Sequence, residues 1–365
     1  MRSVLYRLVA FLCLAVSVGG CGYGQVISSW FDHNSAAGGP AGDRLPGHVY
    51  LLRGLAGDIY SLGMDQLAEK IRRNGVTATV HGMSEYASLT DAIIRKYKSN
   101  EETGPIMLIG HSSGGDLIIT MAKKMKDADV PVALAVGFDP TRIVGEVPSN
   151  VEIFVNLYQR YNPIGGGEVS AGPGFRGRLI NVDLHEHTEI VHITLDKTAA
   201  VQDVVAAKIA AIAAYAARQP KSPPAAPADG AEVLPLELKY AVPRNEPIEL
   251  WDSAIKVKAK PGETLQSIAS AYHAPPWAVA QINGIEPGAA LERGGSLLIP
   301  YSVYTDAPPP AATATEDAVQ PVPRMAARPM PQDQTPTGTI PVPASSPPAQ
   351  NASSFSDRWR LEAKQ

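Results

Sequence analysis

The chain has 365 residues, 45% of them apolar and 19% charged, a balance that leaves room for about two domains and excludes a wholly disordered or fibrous protein. Setting aside residues 1–20, which carry Arg2 and Arg7 and no acid, takes the net charge from −4 to −6, so the chain lacks the basic footprint of a nucleic-acid binder. Its two cysteines are Cys13 and Cys21, and the first lies in an apolar run that reads as removable. No disulfide framework is therefore available, and the fold must be held by its core.

Residues 1–20 have the order of a secretory signal: Arg2 and Arg7, then LVAFLCLAVSV, then Gly19 and Gly20 before Cys21. About a dozen apolar residues are too few to span a bilayer. VGGC resembles the bacterial lipobox, which implies that Cys21 is lipidated and becomes the mature first residue. The expected location is then the envelope, as a periplasmic or outer-membrane lipoprotein secreted across the inner membrane and held by acyl chains instead of a transmembrane helix. The bland alternative is a plain signal peptide with Cys21 incidental.

Residues 21–45 read as a polar, glycine-rich tether. From residue 46 the period switches repeatedly between strand and helix. HVYLL reads as a strand; Met64, Leu67, Ala68 and Ile71 recur at helical spacing and stop at Gly75; TATVHG is a short strand. Leu89–Lys98 reads as a helix, PIMLIG as a strand, and the segment from Asp116 as a helix with Leu117, Met121 and Met125 on one side. VPVALAVGF, VEIFVNLY and GRLINVDL follow as strands, the last expected to close the sheet. Val201, Val204, Val205, Ile209 and Ile212 then line one face of a helix that ends before Pro220. Strands alternating with helices, several apolar throughout, predict a mostly parallel sheet covered on both faces over residues 46–217. Residues 218–247 read as a stiff exposed linker, 248–302 as a second compact domain, and 303–365 as a disordered tail in which 12 prolines fall between Pro308 and Pro348.

Gly110, His111, Ser112, Ser113 and Gly114 match Gly-x-Ser-x-Gly between a strand and a helix, the context in which the motif makes a nucleophile elbow. Flanking glycines let the turn close while the Ser112 oxygen is pushed above the sheet; a glycine-rich turn with two capping serines is the alternative. The base should lie downstream, where His185, His187 and His192 are available. His192, placed before ITLDK and the final helix, is the leading choice. The acid should end a strand, as Asp139 does, with Asp183 second and a turn-capping role the bland alternative for Asp139. A metal site of Asp183, His185 and His187 is a further possibility. Backbone donors for an oxyanion are expected at Ser113 and Leu55.

On these motifs residues 48–217 resemble a small α/β hydrolase of the lipase and thioesterase kind. RGLAGDIYSLGMDQL resembles its oxyanion loop and first helix, with Arg53 where lipases commonly have histidine. The resemblance implies a serine hydrolase with the triad Ser112, His192 and Asp139 acting on small esters or thioesters, without cofactor or metal. The absence of a large insertion predicts an open site.

In the second domain Ile255, Val257 and Ala259 alternate as a strand, Leu265, Ile268, Ala269 and Tyr272 recur at helical spacing, a second helix starts at Pro276, and SLLIP returns as a strand. KPGETLQSIASAY, QINGI and LLIPY resemble a LysM domain. That resemblance implies binding to peptidoglycan or another N-acetylglucosamine polymer through Gly262, Glu263, Thr264 and Leu265 and through Asn283, Gly284 and Ile285. The alternative for the whole chain is a non-catalytic peptidoglycan-binding tether or scaffold.

Overall fold

Strands β1 (His48–Leu52), β2 (Thr77–His81), β3 (Ile106–His111), β4 (Leu134–Phe138), β5 (Ile153–Tyr158) and β6 (Arg178–Asp183) form where the apolar runs lie. The structure, a computed structural model, describes residues 44–55, 57–141, 145–218, 236–286, 288, 290–291, 295–302 and 304. The signal, Cys21, most of the tether and nearly all of the tail lie outside the described residues. Every residue of β3 to β6 is buried, which is why these strands read as continuous apolar runs instead of alternating ones.

The strand order is β2-β1-β3-β4-β5-β6-β7, and every pair is parallel. Between the strands run α1 (Gly57–Tyr60), α2 (Gly63–Arg73), α3 (Tyr86–Lys98) and α4 (Ser113–Asp127), and after β6 come α5 (His192–Leu195) and α6 (Ala199–Arg218). Successive side chains of β1 point to opposite faces. Val49 and Leu51 join the core that contains Met64 and Leu67 of α2 and Val205 and Ile209 of α6, while Tyr50 and Leu52 join the one containing Ile93 of α3 and Ile118 of α4. By length and composition α6 is apolar enough to cross a membrane, a test that a buried core helix also passes; Val201, Val205, Ile209 and Ile212 are buried against the sheet.

The strand β7 (Leu236–Ala241) corrects two sequence expectations. It lies inside the segment read as linker, and it pairs in parallel with β6, from Arg178 opposite Leu236 to Asp183 opposite Ala241, so β6 does not end the sheet. Leu238 and Tyr240 are buried while Glu237 and Lys239 are exposed. An edge strand packed on one face needs only two inward residues, too weak a periodic signal beside the prolines around it. Tyr304, assigned to the disordered tail, is also packed: it is buried, its hydroxyl donates to Glu152 Oε1 at 2.6 Å, and the Arg178 guanidinium lies over its ring.

The second domain is β8 (Ser253–Lys258), α7 (Leu265–Ala271), α8 (Pro276–Ile282) and β9 (Ser296–Tyr301), with β8 and β9 antiparallel. The Thr264 hydroxyl caps α7 by accepting from Ser267 N at 3.1 Å, and Ser267 Oγ accepts from Thr264 N at 2.9 Å, a reciprocal capping box. Pro276 opens α8 where its missing N–H is not needed. This domain is joined to the first. Trp251 and Trp277 pack on Tyr240 of β7, and the Gln281 amide bonds both Ala241 N and Ala241 O, covering part of an open sheet edge. Lys208 of α6 and Asp252 form a buried ion pair at 2.8 Å.

Candidate active site

The chain leaves β1 to build β2 on one side and returns to build β3 on the other. Ligands of open α/β sheets bind at such a switch point, beyond the carboxyl ends of the strands. The loop after β1 and the turn after β3 meet there. Ser112 joins β3 to α4 with φ 56° and ψ −127°, a backbone conformation that a non-glycine residue adopts only when its surroundings hold it. They do: Ser112 N donates to Phe138 O at 2.9 Å, and the flanks admit no side chain. A Cβ on Gly110 would stand 2.2 Å from Gly114 O, and one on Gly54 would stand 2.9 Å from Ser112 Cβ.

His192, the first residue of α5, places Nε2 3.0 Å from Ser112 Oγ and Nδ1 2.8 Å from Asp139 Oδ2. With Nδ1 protonated towards the carboxylate, Nε2 is left as the acceptor for the serine proton. Asp139 follows β4 at φ 47° and is fully buried. It is held by its own amide, which donates to Leu157 O at 2.7 Å, and the Asn162 side-chain amide donates to Oδ2 as well. The structure therefore brings Ser112, His192 and Asp139 together. It sets the other candidates apart: Asp183 faces Arg160 at 2.8 Å and His185 at 3.0 Å, and His187 lies 3.4 Å from Glu189. Among the described residues no group of three or more His, Cys, Asp or Glu could hold a metal ion.

The two amides named for an oxyanion differ. Ser113 opens α4, where a first-turn N–H has no intrahelical acceptor. Leu55 N donates to Ser113 Oγ at 2.9 Å, so that hydroxyl occupies the place an oxyanion would take at this amide.

Supporting roles that the motifs do not assign fall to Ser61, His111, Asn162 and Asp196. Gly54 N donates to Ser61 Oγ at 3.1 Å, Ser61 Oγ lies 2.8 Å from His111 Nδ1, and His111 Nε2 lies 2.9 Å from His192 O. Burial lowers the His111 pKa to about 4, so its ring is neutral near pH 7. Because a carbonyl only accepts, Nε2 carries the proton and Nδ1 accepts from the Ser61 hydroxyl. One chain of hydrogen bonds thus ties the loop after β1, the elbow and the loop bearing His192. His111 sits inside the motif that marks Ser112, but Ser61 and Asn162 carry no local signal, since each acts through a partner distant in sequence. Buried Asp196 anchors the same loop from the other side: its Oδ2 accepts from Gly63 N at 3.0 Å, and burial raises its pKa to about 6.

In the second domain Gly262 and Gly284 are exposed at φ 86° and 62°, and Ile285 is partly buried. Leu265 is in the core, Glu263 Oε2 accepts from Lys260 N, and Thr264 caps α7. The Asn283 side chain bonds Val279 O, Leu298 O and Leu298 N, so it ties α8 to β9.

A parallel sheet, an elbow after the interior strand β3 and helices on both faces define the first domain as an α/β-hydrolase fold. Residues 257–300 match the LysM domain family, and this segment is a LysM domain. Among solved structures, the chain is similar to the esterase domain of a Rhodothermus marinus protein, at 14% identity over 47% of this chain and 89% of that one with a TM-score of 0.32. It is also similar to the RedJ thioesterase of the prodiginine biosynthetic pathway of Streptomyces coelicolor, at 12% identity over 54% of this chain and 98% of that one with a TM-score of 0.35. No curated protein matches the chain.

Proposed function

We propose that the protein is a serine hydrolase of ester or thioester bonds, held at peptidoglycan by its LysM domain. The observation that carries this reading is the bonded series Ser112 Oγ, His192 Nε2, His192 Nδ1 and Asp139 Oδ2 on a strained elbow. Ser112 Oγ attacks the carbonyl carbon as its proton passes to His192 Nε2, and Asp139 stabilises the imidazolium. The oxyanion takes the Ser113 amide, and the Leu55 amide once the Ser113 hydroxyl turns away. Collapse expels the alcohol or thiol, which receives the proton from His192, and leaves an acyl group on Ser112. Water then attacks with His192 again as base and releases the carboxylic acid. Each step uses groups of this chain and water.

The two LysM turns, at Gly262–Leu265 and Asn283–Ile285, take the N-acetylglucosamine polymer, and a lipid on Cys21 supplies a second attachment to the envelope. A weak glycan contact and a lipid anchor on one chain give avidity that the glycan contact lacks alone. Labelling with a fluorophosphonate probe tests the catalytic reading. Wild type should be labelled and Ser112→Ala should not; an unlabelled, folded wild type would favour a non-catalytic tether. Sedimentation with purified peptidoglycan tests the LysM attachment separately, and Ser112→Ala should sediment as wild type does.

A further inference from the structure

The loops that carry the triad also carry large apolar side chains in water. After β1, Leu55 and Ile59 are 75% and 66% exposed; after β5, Tyr161 and Ile164 are 74% and 63% exposed. Val191 and Ile193, on either side of His192, are 46% and 47% exposed. Each lies within two positions of a group bonded into the site: Gly54 and Ser61 for the first loop, Asn162 for the second, His192 for the third. Single exposed apolar residues are ordinary, but their concentration around one polar centre marks a ligand surface.

Polar side chains of the same loops are bound to partners within the protein, Arg160 among them although it is itself exposed. Asn162 donates to Asp139 and accepts from Ile164 N, Ser61 bonds Gly54 and His111, and Arg53 pairs with Asp65 at 2.6 Å. Arg160 pairs with buried Asp183, and Lys197 Nζ donates to Ile193 O. A sugar or charged substrate needs polar groups directed outward at the mouth of its site. These loops offer apolar surface instead.

We infer that the exposed side chains of these three loops form an acyl-binding surface, and that the substrate is an ester or thioester with a long aliphatic acyl chain, not an acetylated wall sugar. This rests on the hydrolase reading above. An acetyl group has one methyl and cannot extend over three loops; a chain of eight or more carbons can. Because the surface is open, the chain lies across it, and each methylene placed there gains part of its transfer free energy from water.

The test is a series of p-nitrophenyl esters below their micellar concentrations, with binding of a dansyl undecanoic acid to Ser112→Ala as a readout free of turnover. The ratio of kcat/KM for octanoate to that for acetate should be about sixtyfold, since octanoate adds six methylenes at roughly twofold per half-buried methylene. In the triple variant Ile59→Ser, Tyr161→Ser, Ile164→Ser that ratio should fall at least fivefold, and placing the same changes on Ser112→Ala should abolish fatty-acid binding. Circular dichroism melting controls for folding, which such exposed positions should leave intact. Equal turnover of octanoate and acetate, an unchanged ratio in the triple variant, or faster release of acetate from an acetylated muropeptide would overturn the inference while the serine mechanism stood. Rim-dependent fatty-acid binding without turnover of any ester would instead remove the hydrolase reading and keep the acyl surface.

Discussion

The LysM segment and the α/β domain are held by contacts of different range. In the former, the capping box of α7 joins Thr264 and Ser267, Pro276 starts α8, and Asn283 reaches Leu298 fifteen residues on. In the latter, the bonds that make the site join residues 53 and 80 positions apart, and the Ser61–His111 link spans 50. Local pieces can be changed with local consequences, whereas a site assembled at the end of a parallel sheet feels changes in several distant loops. The comparison is complicated by the joint between the domains, where Lys208–Asp252 and Gln281–Ala241 bind the local module to the non-local one.

The largest expected effect comes from breaking the non-local site itself. His192→Ala should lower turnover of a p-nitrophenyl ester by several orders of magnitude with the fold retained, as loss of a triad member does. His185→Ala and His187→Ala should change it little, because their side chains lie with Asp183 and Glu189. If His185→Ala matched His192→Ala in steady-state assays, the assignment of the base would be wrong.

Next is the joint. Lys208→Ala removes the cation from the buried Lys208–Asp252 ion pair, and breaking such a pair costs about 3–5 kcal/mol. Urea unfolding of the full chain should show a midpoint lowered to match. In Lys208→Met with Asp252→Leu most of the loss should return. No loss in the single variant would mean that the two domains are energetically separate.

His111 gives an effect of about 3 kcal/mol that depends on pH. Its pKa is lowered to about 4 by burial, against about 6.5 in an unfolded chain. The unfolded state therefore binds more protons between those values, and this residue's contribution falls as pH drops from 6.5 to 4. Asp116 and Asp196, each raised to about 6 by burial, act with the opposite sign in the acid range. The difference between wild type and His111→Gln isolates the histidine: on acidification over that window wild type should lose about 3 kcal/mol relative to the variant. Denaturant melts at each pH measure it.

Asn162→Leu removes a donor to the Asp139 carboxylate. Hydrogen bonds to charged groups are worth about 1.5–3 kcal/mol, so turnover should fall about tenfold to a hundredfold. Asn162→Asp, which sets a second carboxylate beside Asp139, should fall further at neutral pH than at pH 4.

The smallest effect tests locality. Thr264→Ala removes the cap of α7 and should cost about 1 kcal/mol. Peptidoglycan sedimentation should weaken while kcat on acetate esters stays within twofold. A large loss of turnover would show that the LysM domain reaches the site through the joint.

The apolar strands β1 to β6, the elbow at Ser112 and the LysM segment are legible in the sequence alone, because each is written in neighbouring residues: runs buried on both faces, glycines spaced about a serine, a cap and a proline at helix starts. The sequence narrows the candidate base to three histidines within eight residues and the candidate acid to Asp139 or Asp183, but periodicity contains no information about which loop end lies over which strand. That His192 faces Ser112 while His185 turns to Asp183 is visible only in the folded chain. Only it revealed that Leu236–Ala241 completes the sheet, since an edge strand of six residues takes its stability from β6 and from the rings of Trp251 and Trp277 instead of from its own pattern. The Ser61–His111 link and Asn162 were decided there too, because a hydrogen bond between residues 50 or 23 apart exists only once the chain has folded back and closed the distance.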